Sequence, residues 1–359
     1  MTRLIVVDAT PYGPEPSGSK RRATEIVKRL PLLLPGDVFE VHWARDGGAP
    51  PDELELDNVV HTTVDVSCRG GLRRWRARAR DLKRRHREAA FGHVLVDHGP
   101  VIDAPGVRTV VSVHDLRFLH GYGGFLRGLY GRYRYGSVLR RAGAVVAVSN
   151  AVRDGIRSAY GDDLEPLVSR NAVAAGFDRP APEVVAATLA RLGVTRPYVL
   201  VVGRDEPRKA LGAAVSAWSE SLRGAGIGLV VAGDARFAPA GVRSLGMLGD
   251  VELPSLYAGA EWTLVPSLDE GFSLPVVESL ACGTPVIASD IPAHRELAEG
   301  ARGVSLVAPP SRAASGLVWP EAAIALRGPR PTEIAPPPPT WDDAASVVAD
   351  AIRGAQPPR

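Results

Sequence analysis

The chain is short of cysteine, of aromatic residues and of long apolar runs, and each shortage excludes something. Its two cysteines, Cys68 and Cys282, lie far apart in 359 residues and make neither a disulfide framework nor a cysteine-rich metal cluster. That pattern fits a reducing compartment. Cys282, beside the helix-ending Gly283, reads as a small packed residue and not as a nucleophile. No apolar run has the length of a membrane-spanning helix, and Leu4-Ile5-Val6-Val7 is too brief for a signal peptide. The expected location is cytoplasmic, with any membrane contact peripheral and on the inner face. No His, Cys, Asp or Glu cluster has metal-ligand spacing, so neither a metal nor a resident cofactor is expected.

What remains is an ordinary globular composition, 45% hydrophobic and 23% charged, at a length that suggests two domains. Short β-branched runs alternate with helical patterns, as in a parallel sheet covered by helices. Leu4-Ile5-Val6-Val7 reads as a buried strand. A loop with Gly13, Ser17 and Gly18 follows, then a helix over about 19–33. Arg21 and Arg22 at its head either reach an acidic acceptor or sit in water. Further strands are predicted over 38–43, 58–61, 93–97 and 108–113. The last runs into His114-Asp115-Leu116, at the carboxyl end of a strand, where open α/β sheets bind ligands. A strand over 144–148 and a helix opened by Ser149-Asn150 follow, and the prolines over 178–197 read as an interdomain linker.

One segment stands apart in charge. Between Arg69 and Glu88, ten basic residues face two acidic ones, a local excess of eight in a chain of net charge +3. The remainder is therefore net negative by five. Leu72, Trp75, Ala79, Leu82, His86 and Ala89 recur at three-four spacing, which predicts a narrow apolar stripe on a cationic helix. Two readings stay open: a docked surface helix with solvated arginines, or contact with an anionic membrane surface or a phosphorylated acceptor. Nucleic acid is set aside, because the basic residues are confined to one helix and no nucleic-acid module surrounds it.

The second half carries the denser chemistry. A strand ends at Gly203, followed by Arg204-Asp205-Glu206-Pro207-Arg208-Lys209-Ala210. Arg204 and Lys209, a planar fork and a point charge, suit a diphosphate. A loop paired through Asp205 and Glu206 is the alternative, with Arg208 the structural partner. Residues 262–290 read as strand, acidic glycine turn, short apolar helix, Gly-Thr-Pro stop and strand. Pro275 falls in the first helical turn and Gly283 just past the end. The N–H groups from Gly271, Phe272, Ser273 and Leu274 form an anion site, with Glu270 and Glu278 placed to hold sugar hydroxyls. Residues 335–339 make a stiff spacer, and Thr340 caps a last helix.

Glu270-Gly271-Phe272 through Glu278, then Ala281-Cys282-Gly283-Thr284-Pro285-Val286-Ile287-Ala288, resembles the signature of the retaining glycosyltransferases of family 4. The resemblance implies an α/β GT-B fold, two Rossmann-like doubly wound domains facing across a cleft. The expected division is 1–178 for the acceptor side, 179–339 for the nucleotide-sugar side, and 340–359 for a helix crossing back. It implies a hexosyltransferase that moves a sugar from a nucleotide-diphosphate donor to an acceptor hydroxyl, with retention and without a metal. Arg204 and Lys209 match the family's diphosphate clamp, with Gly203 beside it. Glu270 takes the sugar hydroxyls and Glu278 the ribose diol. His114 lies against the donor sugar, Gly18 near donor phosphate and acceptor, and the backbone of Leu245, Gly246 and Met247 reads the base. The His-Asp-Leu segment is similar to members using mannose-type or rhamnose-type donors, which makes GDP-mannose the first donor to try. The acceptor is open between a cell-envelope intermediate, a lipid-linked sugar and a natural product. A nucleotide-sugar epimerase of the same fold, and a non-catalytic sugar-nucleotide or anionic-surface binding protein, are the alternatives.

Overall fold

Parallel strands need crossover connections, and the helical patterns between the β-branched runs supply them. The computed structural model describes residues 2–15, 17–69, 71–89, 92–96, 106–120, 125–233, 239–314, 316–337 and 340–354. Asp97, at the end of one expected strand, and Pro338 and Pro339 of the expected spacer lie outside the described residues. The chain divides into two compact units, Met1–Asn171 with Pro339–Arg359, and Ala172–Pro338.

In the first unit, β1 (Leu4–Asp8), β2 (Val38–Ala44), β3 (Val59–Val64), β4 (His93–Val96), β5 (Arg108–Val113), β6 (Ala144–Ala147) and β7 (Leu167–Val168) form one sheet. Its order is β3-β2-β1-β4-β5-β6-β7, with every pair parallel. The second unit repeats the plan with β8 (Tyr198–Gly203), β9 (Gly228–Gly233), β10 (Val242–Ser244), β11 (Trp262–Val265), β12 (Val286–Ser289) and β13 (Val304–Val307). Its order is β10-β9-β8-β11-β12-β13, again all parallel. Both are Rossmann-like, doubly wound sheets. Strand alternation sorts the core: Val199 and Val201 of β8 join a cluster with Ala213, Ala217 and Trp218, while Tyr198 and Leu200 join one with Leu253, Tyr257 and Cys282. Cys282 is fully buried there, and burial pushes its thiol up to about 12.

The units divide earlier than the 178/179 expected from composition. Ala174 and Phe177 are buried in the second unit's core together with Val185 and Leu189. The latter two belong to the helix Pro182–Leu192, so the proline-bounded stretch read as a linker is a packed element. The helix Trp341–Gly354 belongs to the first unit and lies against the helix Gly18–Leu33. Arg29 Nε donates to Asp342 Oδ1 at 2.5 Å, and Arg353 Nη2 donates to the Leu33 carbonyl at 2.8 Å.

Two arginines overturn their expected surface roles. Arg22 is buried and donates to the Ser169 carbonyl at 2.9 Å, Asn171 Oδ1 at 2.8 Å and Ser169 Oγ at 2.8 Å. Desolvation lowers its pKa to about 9, and it is neither solvated nor exposed to an acceptor. Arg78, in the middle of the basic helix Gly71–Glu88, is fully buried. It bonds Asp8 Oδ1 at 3.0 Å, Asp81 Oδ2 at 2.7 Å and His42 Nδ1 at 2.7 Å. Among the described side chains of this helix Arg78 and Leu82 are buried, Trp75, Ala79 and His86 of the expected stripe are half-buried, and Ala89 is exposed; the Leu72 side chain lies outside the described residues. Arg73, Arg76, Arg80, Lys83, Arg84 and Arg87 remain exposed.

Removing one partner of a buried ion pair strands the other charge away from water. Arg78→Leu should cost about 3–5 kcal/mol in denaturant unfolding, and Arg76→Leu or Arg80→Leu less than about 1 kcal/mol. Equal costs for the three would place Arg78 in solvent.

Candidate active site

In the second unit, β8 and β11 are neighbours whose onward connections diverge, and the crevice at their carboxyl ends is the switch point where such sheets take ligands. Both chemistry-bearing loops leave from there. β8 ends at Gly203, which pairs with Gly233 of β9; a Cβ added to Gly233 would stand 2.1 Å from the Gly203 carbonyl oxygen. Only glycine permits that approach. The loop then makes a tight turn over Pro207–Lys209, and Ala210 takes a left-handed conformation (φ 49°) ahead of the helix Leu211–Ser221. The loop after β11 is tied across to it, because the Leu268 N–H donates to the Arg208 carbonyl at 2.7 Å.

Glu270 is where the two loops meet. Its Oε1 accepts from Lys209 Nζ in a short ion pair and from Ser267 Oγ at 2.8 Å. Its Oε2 accepts from Arg208 Nη1 at 3.0 Å. Arg208 also reaches the Asp269 carbonyl at 3.3 Å and pairs through Nε with Glu206 at 2.9 Å. The Glu270 side chain is only 7% exposed. Burial alone would push its carboxyl up, but Lys209 and Arg208 outweigh burial and hold it at about 2.

The helix Leu274–Ala281 begins with Pro275 at its second position, as the sequence indicates. The residue before it, Ser273, has φ 83° and ψ 73°, a left-handed conformation that costs a non-glycine residue roughly 1–2 kcal/mol. Glu278 is buried inside the helix, and Tyr257 Oη donates to its Oε2 at 2.9 Å. Tyr257, from the helix Leu253–Gly259, was invisible as a site residue in sequence because it lies in an apolar run.

Other expected site residues sit as follows. Arg204 is exposed, while Arg208 joins Lys209 on Glu270. The Leu245 N–H donates to the Val231 carbonyl at 2.9 Å, and the Gly246 carbonyl accepts from Gly233 N–H at 2.7 Å. Met247 is 43% exposed. In the first unit, His114 follows β5 directly, and Asp115 is held by Arg117 at 2.6 Å. Gly18 opens the helix Gly18–Leu33 behind the capping Ser17, whose Oγ accepts from the Lys20 N–H at 3.2 Å. Among the described residues, no three His, Cys, Asp or Glu are grouped to hold a metal ion, and no helix is long and apolar enough to cross a membrane.

Sequence reasoning missed His294 altogether. It is fully buried on the helix Pro292–Gly300, and burial lowers its pKa despite the neighbouring Glu270. Its only signal was a histidine one helix beyond the acidic turn.

Lys209 and Arg208 stabilise Glu270 only while it is ionised, which gives its contribution a definite pH dependence. Its ordinary value is 4.5 and its folded value lies below that, so the contribution is complete above about pH 4.5 and is lost as pH falls toward about 2. The stability difference between wild type and Glu270→Gln, measured by denaturant unfolding, should shrink by about 1.4 kcal/mol for each pH step of one across that window. A difference that stays flat with pH would remove the ion pair.

The two units each match a glycosyltransferase family model. Residues 16–168 match "Glycosyltransferase Family 4" and residues 196–318 match "Glycosyl transferases group 1". The O-antigen chain mannosyltransferase RfbU of Salmonella typhimurium is 29% identical over 208 residues, covering 53% of this chain and 55% of that protein. The MMP alpha-(1->4)-mannosyltransferase of Mycolicibacterium hassiacum is 60% identical over 42 residues, covering 12% of this chain and 10% of that protein. The chain spans about half the length, or less, of the curated relatives it matches. In fold it is similar to sucrose-phosphate synthase of Thermosynechococcus elongatus, with a TM-score of 0.69 at 16% identity over 99% of this chain and 95% of that one. With one such model on each of two Rossmann-like units, the chain belongs to the family 4 type of glycosyltransferases, with the GT-B fold.

Proposed function

We propose that the protein transfers a hexose from a nucleoside-diphosphate sugar to an acceptor hydroxyl, retaining the anomeric configuration and using no metal ion. The observation that carries this reading is Glu270, paired with Lys209 and Arg208 beside the first turn of the helix Leu274–Ala281. The hard step is departure of the diphosphate, whose growing charge needs fixed positive partners. Lys209 has three donors, so its bond to Glu270 leaves capacity for a phosphate. Arg204 and the amides of Gly271 to Leu274 complete the set. Glu270 Oε2 accepts from Arg208 and retains capacity for a sugar hydroxyl. Glu278, oriented by Tyr257, is assigned the ribose diol, and the backbone of Leu245 to Met247 the base. His114 keeps the role of positioning the sugar, and Gly18 that of approaching phosphate and acceptor.

For the donor we favour GDP-mannose, because two relatives are named as mannosyltransferases and His114-Asp115-Leu116 points the same way. A cell-envelope saccharide, lipid-linked or free, is the favoured acceptor, after the O-antigen relative. The exposed basic residues from Arg73 to Arg87 support peripheral contact with an anionic membrane, which should appear as salt-sensitive binding to anionic vesicles.

A thermal-shift panel of GDP, UDP, dTDP and ADP identifies the base. A ligand at a hundred times its Kd adds about 2.7 kcal/mol. Arg204→Ala, at an exposed position, should lower kcat/KM by roughly 10²–10³-fold while the thermal midpoint holds. Undiminished activity would overturn the clamp. Free nucleotide together with a glycosylated product separates transfer from epimerisation.

A further inference from the structure

Beneath the acidic turn a buried histidine bridges two parts of the second unit, the end of β12 and the entrance to the helix Leu274–Ala281, and the donor-site reading gives it no task. His294 Nδ1 lies 2.7 Å from the Ser289 carbonyl at the end of β12, and its Nε2 lies 3.1 Å from Ser273 Oγ. Ser289 Oγ in turn donates to the Ser267 carbonyl, and Ser267 Oγ donates to Glu270. A carbonyl can only accept, so Nδ1 carries the proton. Burial favours the neutral ring, which leaves the Nε2 lone pair to accept from the Ser273 hydroxyl. The contact is thus directional, with the tautomer set on one side and the serine held on the other.

What it holds is the strained residue. Ser273, at φ 83°, is in the region that favours glycine, and it stands at the entrance to the helix Leu274–Ala281. Its conformation decides where the N–H groups of Gly271 to Leu274 point. A serine without a tether would relax out of that region and swing those amides away. A glycine would stay there without help.

We propose that His294 is a positioning residue of the donor site: by bonding Ser273 Oγ it fixes the left-handed turn that aims the 271–274 amides at the donor diphosphate. The role rests on the donor-site reading above and adds to it a residue that touches neither donor nor acceptor. It predicts an interdependence that generic packing does not. His294 matters because residue 273 is a serine, so Ser273→Gly should cancel the need for it.

The test measures Kd by calorimetry for whichever of GDP, UDP, dTDP and ADP binds the wild-type protein, together with kcat and KM. His294→Ala and Ser273→Ala should each weaken diphosphate binding by about ten- to a hundredfold, the size of effect expected when site groups are misplaced by about an ångström. Ser273→Ala leaves the imidazole in place and serves where His294→Ala folds poorly. His294→Gln, which can donate to the Ser289 carbonyl and accept from the serine, should recover part of the loss. In a Ser273→Gly background, His294→Ala should change Kd by less than about threefold, a coupling that the double-mutant cycle reads directly. Binding as in wild type by folded Ser273→Ala, or an equal loss from His294→Ala in both backgrounds, would overturn the positioning role and leave the donor site standing. A wild-type protein that binds none of the four nucleotides would overturn both.

Discussion

A carboxylate that is all but removed from water must be neutral or well paired, and Glu270 is paired with two cations at once. Lys209 and Arg208 come from the loop after β8, Glu270 from the loop after β11, and those strands flank the switch point of the second sheet. The ion-pair cluster therefore ties together the two loops of the candidate site. Because both cations are anchored by an internal anion, their positions are fixed within the second unit itself. Preorganised charge of that kind is what the proposed departure of a diphosphate calls for.

The same rule, that buried charge must find a partner, shapes the first unit. Arg78 turns the middle of the most basic helix inward onto Asp8 at the end of β1, with Asp81 and His42 completing its bonds. Arg22 is buried among neutral oxygens of Ser169 and Asn171, just before the chain enters the second unit. Ser169 Oγ also donates to the Ala344 carbonyl of the last helix. One small polar network thus secures, within the first unit, the segments on either side of the excursion into the second. Arg73, Arg76, Arg80, Arg84 and Arg87 of the same helix stay exposed, while Arg78 is buried.

Much of this was legible from residue order. Helical and β-branched periodicities located the strands flanking the acidic turn, and Pro275 with Gly283 bracketed its helix, because those residues act through local backbone geometry. Glu270 and Lys209 stood out for equally local reasons, Glu270 as an acid beside the first turn of a proline-started helix and Lys209 as a cation in the short turn after a glycine-ended strand. The boundary at 178/179 misled because prolines mark chain direction without saying what packs on what. Val185 and Leu189 sit on a proline-capped helix whose burial depends on Tyr198 and Tyr257, some distance along the chain.

By itself the sequence determined the repeated strand–helix order, the acidic glycine turn, the helix start at Pro275 and the family, since each depends on contiguous residues and local periodicity. Only the tertiary structure decided which cation meets Glu270, which arginines are buried, and that a serine in a left-handed turn leans on His294. Those outcomes join residues from about sixty to seventy positions apart for Arg208–Glu270 and Asp8–Arg78, and twenty-one apart for Ser273–His294. No local periodicity encodes such pairs; they arise when a parallel sheet brings distant strand ends to one edge.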